Sequence, residues 1–312
     1  MTKRVLDLLP AELASLSAKE LLQAVAGSEG RVLAAETIDI TPPLLSDVTN
    51  AEFAASMGAD LLLLNMFDVW EPRIVGLPET RPEDAVRRVK ELTGRMIGIN
   101  LEPVNPAVCA QNEETIWAMS RGRYATTENA QRAMEMGVDL IVLTGNPGNG
   151  VSNEAIVHSL ESIRAQVGEG IVLAAGKMHA SGVVGEGGEN IITKEDVAAF
   201  AAAGADIILL PAPGTVPGIT TEYVRGLVSY AHSLGCLTIT AIGTSQEGAD
   251  TATIRQIALA CKMTGTDIHH IGDSGYVGMA LPENIMAYSV AIRGIRHTYR
   301  RMAASLARRP RD

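Results

Sequence analysis

Acids, amides and one lysine follow short apolar runs at regular intervals along this chain. The run Arg31–Thr37 delivers Glu36 and, just past it, Asp39; Asp60–Asn65 delivers Asn65 and Asp68; Met96–Asn100 delivers Asn100 and Glu102. Later runs deliver Thr144 and Asn146, Lys177 and His179, then Thr244, Gln246 and Glu247, and last Asp273 and Ser274. Carboxylates and imidazoles move protons, and a partly desolvated lysine acts as a base or Schiff-base nucleophile. Lys177 can equally pin an anionic substrate, or pair with Glu36 or Glu102. The expected catalytic set is Lys177, Glu36, Glu102 and His179. Asn65, Asp68, Asn100, Thr144, Asn146, Gly243, Thr244, Gln246, Gly272, Asp273 and Ser274 are expected to bind substrate.

The acids are hard oxygen donors of the kind that hold Mg²⁺ or Mn²⁺ with several waters, so either ion is an expected cofactor. The spacing of the histidines supports no zinc site. Two glycine-bearing turns, Gly243–Gly248 and Gly272–Gly278, follow the last two runs, where barrels often hold phosphate on backbone N–H groups. The adjacent His269 and His270 must point to opposite faces of a strand.

These residues need elements to position them. Continuous apolar runs of this length read as parallel strands buried on both faces. Eight are expected, starting near Arg31, Asp60, Met96, Asp139, Ile171, Asp206, Leu237 and Asp267. A glycine precedes each run, as a left-handed helix end requires. Met57-Gly-Ala-Asp60, Met136-Gly-Val-Asp139, Ala203-Gly-Ala-Asp206 and Thr264-Gly-Thr-Asp267 form an internal repeat of helix end, turn and strand. Its aspartates are read as turn residues at the barrel bottom. Thr80-Arg-Pro-Glu83 and Thr193-Lys-Glu-Asp196 read as capping boxes opening helices. An extra helix, about Ala11 to Ala26, should plug the barrel bottom or cover its side, and a long helix, Pro282 to Arg301, should close the chain.

Strands alternating with helices make the fold class α/β, a (β/α)₈ TIM barrel with an extra N-terminal helix and a long C-terminal helix. A doubly wound open sheet is the alternative, but it usually carries a Gly-rich phosphate turn after its first strand. Residues 36–43 contain no glycine. In a barrel the chemistry sits at the C-terminal ends of the strands, where the residues named above fall.

The 312 residues read as one barrel domain, with residues 1–30 an N-terminal helical extension and 302–312 an Arg-rich tail. A net charge of −10 excludes a broad basic face for nucleic acid. Three cysteines without CxxC spacing support neither a disulfide framework nor a structural zinc. No apolar run reaches membrane-spanning length, and no leader is recognisable. A cytoplasmic homo-oligomer is expected, with a small anionic substrate as partner and neither nucleic acid nor membrane.

The motifs Ala35-Glu-Thr-Ile-Asp39, Asn65-Met-Phe-Asp68, Ile99-Asn-Leu-Glu-Pro103, Leu143-Thr-Gly-Asn-Pro-Gly148, Ala175-Gly-Lys-Met-His179 and Ile271-Gly-Asp-Ser-Gly275 resemble an uncharacterised bacterial TIM-barrel family. Its members have borne names such as haloacid-dehalogenase-like hydrolase or phosphoenolpyruvate phosphonomutase-like protein. Neither name suits this chain, which has no DxDxT nucleophile motif and no DxDxG metal motif. The chain is more loosely similar to the BtpA barrel family, through Asn65, Asn100, Lys177 and His179. That resemblance implies the fold.

The expected function is a lyase or isomerase acting on a small anionic, phosphorylated carbonyl compound. Lys177 would bind the anion or polarise the carbonyl, Glu36 or Glu102 would move a proton, and Asp68 and Asp273 would orient substrate or hold a metal. A metal-dependent hydrolase and a non-catalytic metabolite- or partner-binding barrel are the alternatives.

Overall fold

The computed structural model describes residues 3–104, 119–145, 151–180, 185 and 187–308. Eight parallel strands close in sequence order into a barrel, β1 pairing with β8. They are β1 Val32–Ile38, β2 Leu61–Asn65, β3 Met96–Leu101, β4 Leu140–Leu143, β5 Val172–Gly176, β6 Ile207–Pro211, β7 Leu237–Ile242 and β8 Ile268–Ile271. All begin within one residue of the expected starts. Two helices precede the barrel, α1 Pro10–Leu13 and α2 Ala18–Ala26. One follows each strand: α3 Asn50–Ser56, α4 Ala85–Thr93, α5 Thr127–Met136, α6 Asn153–Val167, α7 Lys194–Ala202, α8 Thr221–Ser233, α9 Thr251–Thr264 and α10 Pro282–Met302.

Strand alternation divides the core in two. Leu33 and Ala35 of β1 and Leu62 and Leu64 of β2 pack outward under the helices. Val32, Ala34, Leu61, Leu63, Met96, Leu140, Val172 and Ile207 fill the barrel interior. The interior cluster also contains Val5, Leu8, Leu13, Leu21, Ala24 and Val25, so the N-terminal segment plugs the bottom. It does so as two helices rather than one. The first ends at Leu13, and Ser17 starts the second in a capping box with Glu20.

The four repeat aspartates lace neighbouring strands together. Asp60 accepts the Leu33 N–H at 2.9 Å, Asp139 that of Ile97 at 2.8 Å, Asp206 that of Leu173 at 2.9 Å and Asp267 that of Thr238 at 2.8 Å. Each thereby satisfies a donor at the open end of the preceding strand, where an unpaired buried N–H would be costly. Each also faces a basic side chain: Arg293 and Arg301, Lys90, Arg164 and His232 respectively.

Two other expectations change. Thr193 forms its capping box with Asp196, but Thr80 does not form one. Its hydroxyl donates to Pro78 O at 2.6 Å. A 3₁₀ turn, Pro82–Asp84, then leads into α4. The long C-terminal helix is interrupted at Gly294 (φ 75°, ψ 166°), and the Lys262 ammonium bonds the Ile292 carbonyl just before that break.

Candidate active site

A cavity of about 290 Å³ opens at the C-terminal mouth of the barrel. Strand parity determines which side chains enter it. Glu36 continues the inward face of Val32 and Ala34, Asn65 that of Leu61 and Leu63, and Thr144 that of Leu140 and Val142. Asn100 and Glu102 continue β3 from Met96 and Gly98. Gly98 has to be small, because a Cβ there would sit 2.3 Å from Leu63 Cδ2.

Three carboxyl groups meet on the side of β7, β8 and β1. Glu36 accepts the Asn100 amide at 2.6 Å, and its other oxygen lies 3.3 Å from His270 Nε2. Asp273 accepts the Asn65 amide at 2.8 Å and the Gly275 N–H at 2.8 Å. The Met66 N–H in turn holds Asn65 Oδ1 at 2.8 Å, which leaves the NH₂ of Asn65 facing Asp273. Glu247 enters from the 3₁₀ turn Gln246–Gly248, and its Oε2 is buried with no hydrogen-bond partner among the described residues.

Burial and the neighbouring Glu36 charge push protons onto Asp273 and Glu247. Asp273 is raised to about 7, first by burial and then by the Glu36 charge, against the Asn65 hydrogen bond. Glu247 is also raised, chiefly by burial. His179 lines the cavity, and burial lowers its pKa. His270 lies beneath the acids with Nδ1 unpartnered among the described residues. His269 points outward, between Tyr288 OH at 3.2 Å and Gly30 O at 3.1 Å, and burial lowers it to about 3. It is a neutral packing residue.

The opposite wall carries Arg123, whose Nη2 donates to Glu102 Oε1. Backbone bonds fix this pair: Glu102 N–H to Arg123 O at 2.8 Å and Ala125 N–H to Glu102 O at 2.9 Å. Met178, Gly243 and Gly272 complete the wall near the last strands. A Cβ at Gly243 would lie 2.1 Å from Met178 Sδ, so Met178 occupies the space that a side chain there would take.

The structure thus gathers Glu36, Asn65, Asn100, Glu102, Thr144, His179, Gly243, Gly272 and Asp273 around one cavity. It leaves other expected residues elsewhere. Lys177 follows the end of β5, is buried, and is not among the residues that line the cavity. Its charge acts on Glu154 at the start of α6. Asp68 builds a neighbouring loop, accepting the N–H groups of Trp70 at 2.7 Å and Glu71 at 2.9 Å. Thr244 donates to Thr215 O at 2.8 Å and bonds Gln246, so both pin the β7 loop to the β6 loop. Ser274 sits in the left-handed region as a turn residue (φ 57°). Asn146 lies outside the described residues. Reasoning from sequence put Glu247 on the rim without a catalytic or binding role, and gave no site role to Arg123, Met178 or His270. For His270 the strand parity shared with Ile268 was the available signal.

The oxygen donors suit Mg²⁺ or Mn²⁺ in kind but not in placement. Among the described residues, no three His, Cys, Asp or Glu side chains are grouped to hold a metal ion. No helix among the described residues is long and apolar enough to cross a membrane.

The chain belongs to the family described as domain of unknown function DUF7916, whose model matches residues 6–308. No curated protein matches it. Among solved structures it is similar to a phosphonopyruvate hydrolase in complex with oxalate and Mg²⁺, at 12% identity over 84% of this chain and 82% of that one, with a TM-score of 0.50. It is also similar to a 2,3-dimethylmalate lyase of the PEP mutase/isocitrate lyase superfamily, at 14% identity over 81% and 80%, TM-score 0.49. A third similarity is to thiamine phosphate pyrophosphorylase from Pyrococcus furiosus, at 11% identity over 85% and 96%, TM-score 0.47. At these identities the likeness is one of fold, and fold does not choose a chemistry.

Proposed function

We propose that this protein is a lyase- or isomerase-type enzyme that moves a proton beside the carbonyl of a small anionic compound. The observation that carries the reading is the convergence of Glu36, Glu247 and Asp273, with Asp273 raised to about 7. A carboxyl that titrates near neutral pH can both take and return a proton, as general acid–base catalysis needs. Glu36, oriented by Asn100 and His270, serves as base. Protonated Asp273 donates to the oxygen that gains charge. Glu247, raised chiefly by burial, adds a third carboxyl whose Oε2 has no partner among the described residues.

This reading gives Lys177, which does not line the cavity, no part in the chemistry. It also gives a substrate phosphate no seat at the Gly243 and Gly272 turns, which bring Glu247 and Asp273 to the cavity. No step is routed through a metal ion.

The test is solvent deuterium exchange followed by proton NMR. Purified protein is incubated in D₂O with a panel of small carbonyl compounds, each with and without Mg²⁺. The expected result is loss of one C–H signal in one compound class, abolished by Glu36→Gln and Asp273→Asn. Exchange that survives both substitutions would refute the assignment.

A further inference from the structure

The mouth is electrostatically two-sided. β3 and β7 stand four strands apart in a ring of eight, as do β4 and β8, so each pair faces across the barrel. The β7, β8 and β1 side presents Glu247, Asp273 and Glu36. The β3 and β4 side presents Arg123, Thr144 and Gly145. Arg123 is mostly buried, with 12% of its side-chain surface exposed. Among the described residues, Glu102 takes only Nη2 of its guanidinium. The fork of an arginine can bind a planar carboxylate through two parallel bonds. Thr144, the first residue after β4, adds a hydroxyl to the same wall.

We infer that Arg123, assisted by Thr144, anchors a substrate monocarboxylate, so that the substrate spans the mouth with its carbonyl against Asp273 and Glu36. The inference rests on the proton-transfer reading and adds the substrate's class and direction. Charge argues for a carboxylate over a phosphate. Glu102 already neutralises part of Arg123, and in a cavity of about 290 Å³ the Glu36 charge would repel a dianion more strongly than a monoanion. Glu102 is a positioning residue here: it holds the guanidinium on the wall and competes with substrate for it.

Isothermal titration of the full chain with pyruvate, its neutral methyl ester and inorganic phosphate tests this. Pyruvate should bind about 10-fold or more tightly than methyl pyruvate, the range of one charge-assisted hydrogen bond. Arg123→Gln should erase that preference, and Arg123→Lys, which keeps the charge but loses the fork, should keep part of it. Glu102→Gln should tighten pyruvate binding by freeing the guanidinium, an effect that a purely structural pair would not produce. Circular dichroism establishes that each variant is folded. Pyruvate binding no tighter than its ester, phosphate binding tighter than pyruvate, or a preference that survives Arg123→Gln overturns the inference. Pyruvate that binds by these rules but never exchanges its C–H protons supports the anchor and counts against the proton-transfer reading. Exchange confined to neutral carbonyl compounds supports that reading and overturns the anchor.

Discussion

Asp60→Ala should destabilise the barrel far more than the same change at the other repeat aspartates. All four aspartates bond a strand N–H in the same way, so the difference lies in their cations. Asp60 and Arg293 are both 0% exposed in their side chains, and Arg301, 2.7 Å away through Nε, is 4% exposed. Arg95 is buried beside them, its pKa lowered to about 9 by burial and then by the Arg301 charge. Removing one partner of a buried ion pair costs about 3–5 kcal/mol, because the remaining charge is left uncompensated. The orphaned Leu33 N–H costs about 1–3 kcal/mol more. These losses share one site and do not add fully, so about 4–6 kcal/mol is expected. That is a large part of a typical stability of about 5–15 kcal/mol. Asp206 is 28% exposed and its partner Arg164 20% exposed, so water can replace much of what is lost. The expected loss there is about 1–3 kcal/mol. Urea unfolding followed by circular dichroism gives both values. Losses within about 1 kcal/mol of each other would refute the argument from burial.

Asp273 makes stability depend on pH. Its pKa is raised from 3.8 to about 7, so the folded form holds the proton more tightly than the unfolded chain. That contribution is fully present below about pH 4 and is lost as pH rises through about 7. Relative to Asp273→Asn, the wild type should lose stability between pH 5 and pH 8 by up to about 2.5 kcal/mol, less for a carboxyl facing a wet cavity. Urea midpoints at the two pH values check this, and a pH-independent difference counts against it. Gly98→Ala should cost about 1–3 kcal/mol by overpacking the barrel interior. Gly226→Ala, where a Cβ on α8 meets nothing within 4 Å, should gain about 0.5–1 kcal/mol. Equal melting temperatures for these two variants would be the wrong outcome. Leu259 and Met263 on α9 and Ile295 and Tyr299 on α10 are exposed, as expected of a chain that self-associates. Light scattering should return a mass above the 33.0 kDa of one chain, and a monomer mass would contradict it.

The barrel was readable because its signal is local. Each Gly-x-Asp repeat marks a helix end followed by a strand, and the strand starts follow to within one residue. The inward acids and amides were readable for the same reason, since each sits at the end of a strand. The differences come from strand ends and from distance. Lys177 lies just past β5, where alternation no longer fixes which residues enter the cavity: Met178 and His179 line it and Lys177 does not. Asp68 lies past β2, where the chain turns and alternation no longer applies. Thr244 and Gln246 are drawn off by the Thr215 carbonyl, a contact between loops far apart in sequence. Arg123 reaches Glu102 from 21 residues further along the chain, and nothing in its neighbours' types marks that return.

The central claim is that a carboxyl cluster at the barrel mouth keeps a proton in play near neutral pH. A carbon-13 NMR titration of the aspartate and glutamate side-chain carboxyls, with Asp273 assigned through Asp273→Asn, tests it without a substrate. The account predicts an Asp273 midpoint near 7 that falls toward the ordinary aspartate range in Glu36→Gln, because the Glu36 charge is one of its causes. An Asp273 midpoint near the usual value of about 4, unmoved by Glu36→Gln, would contradict it.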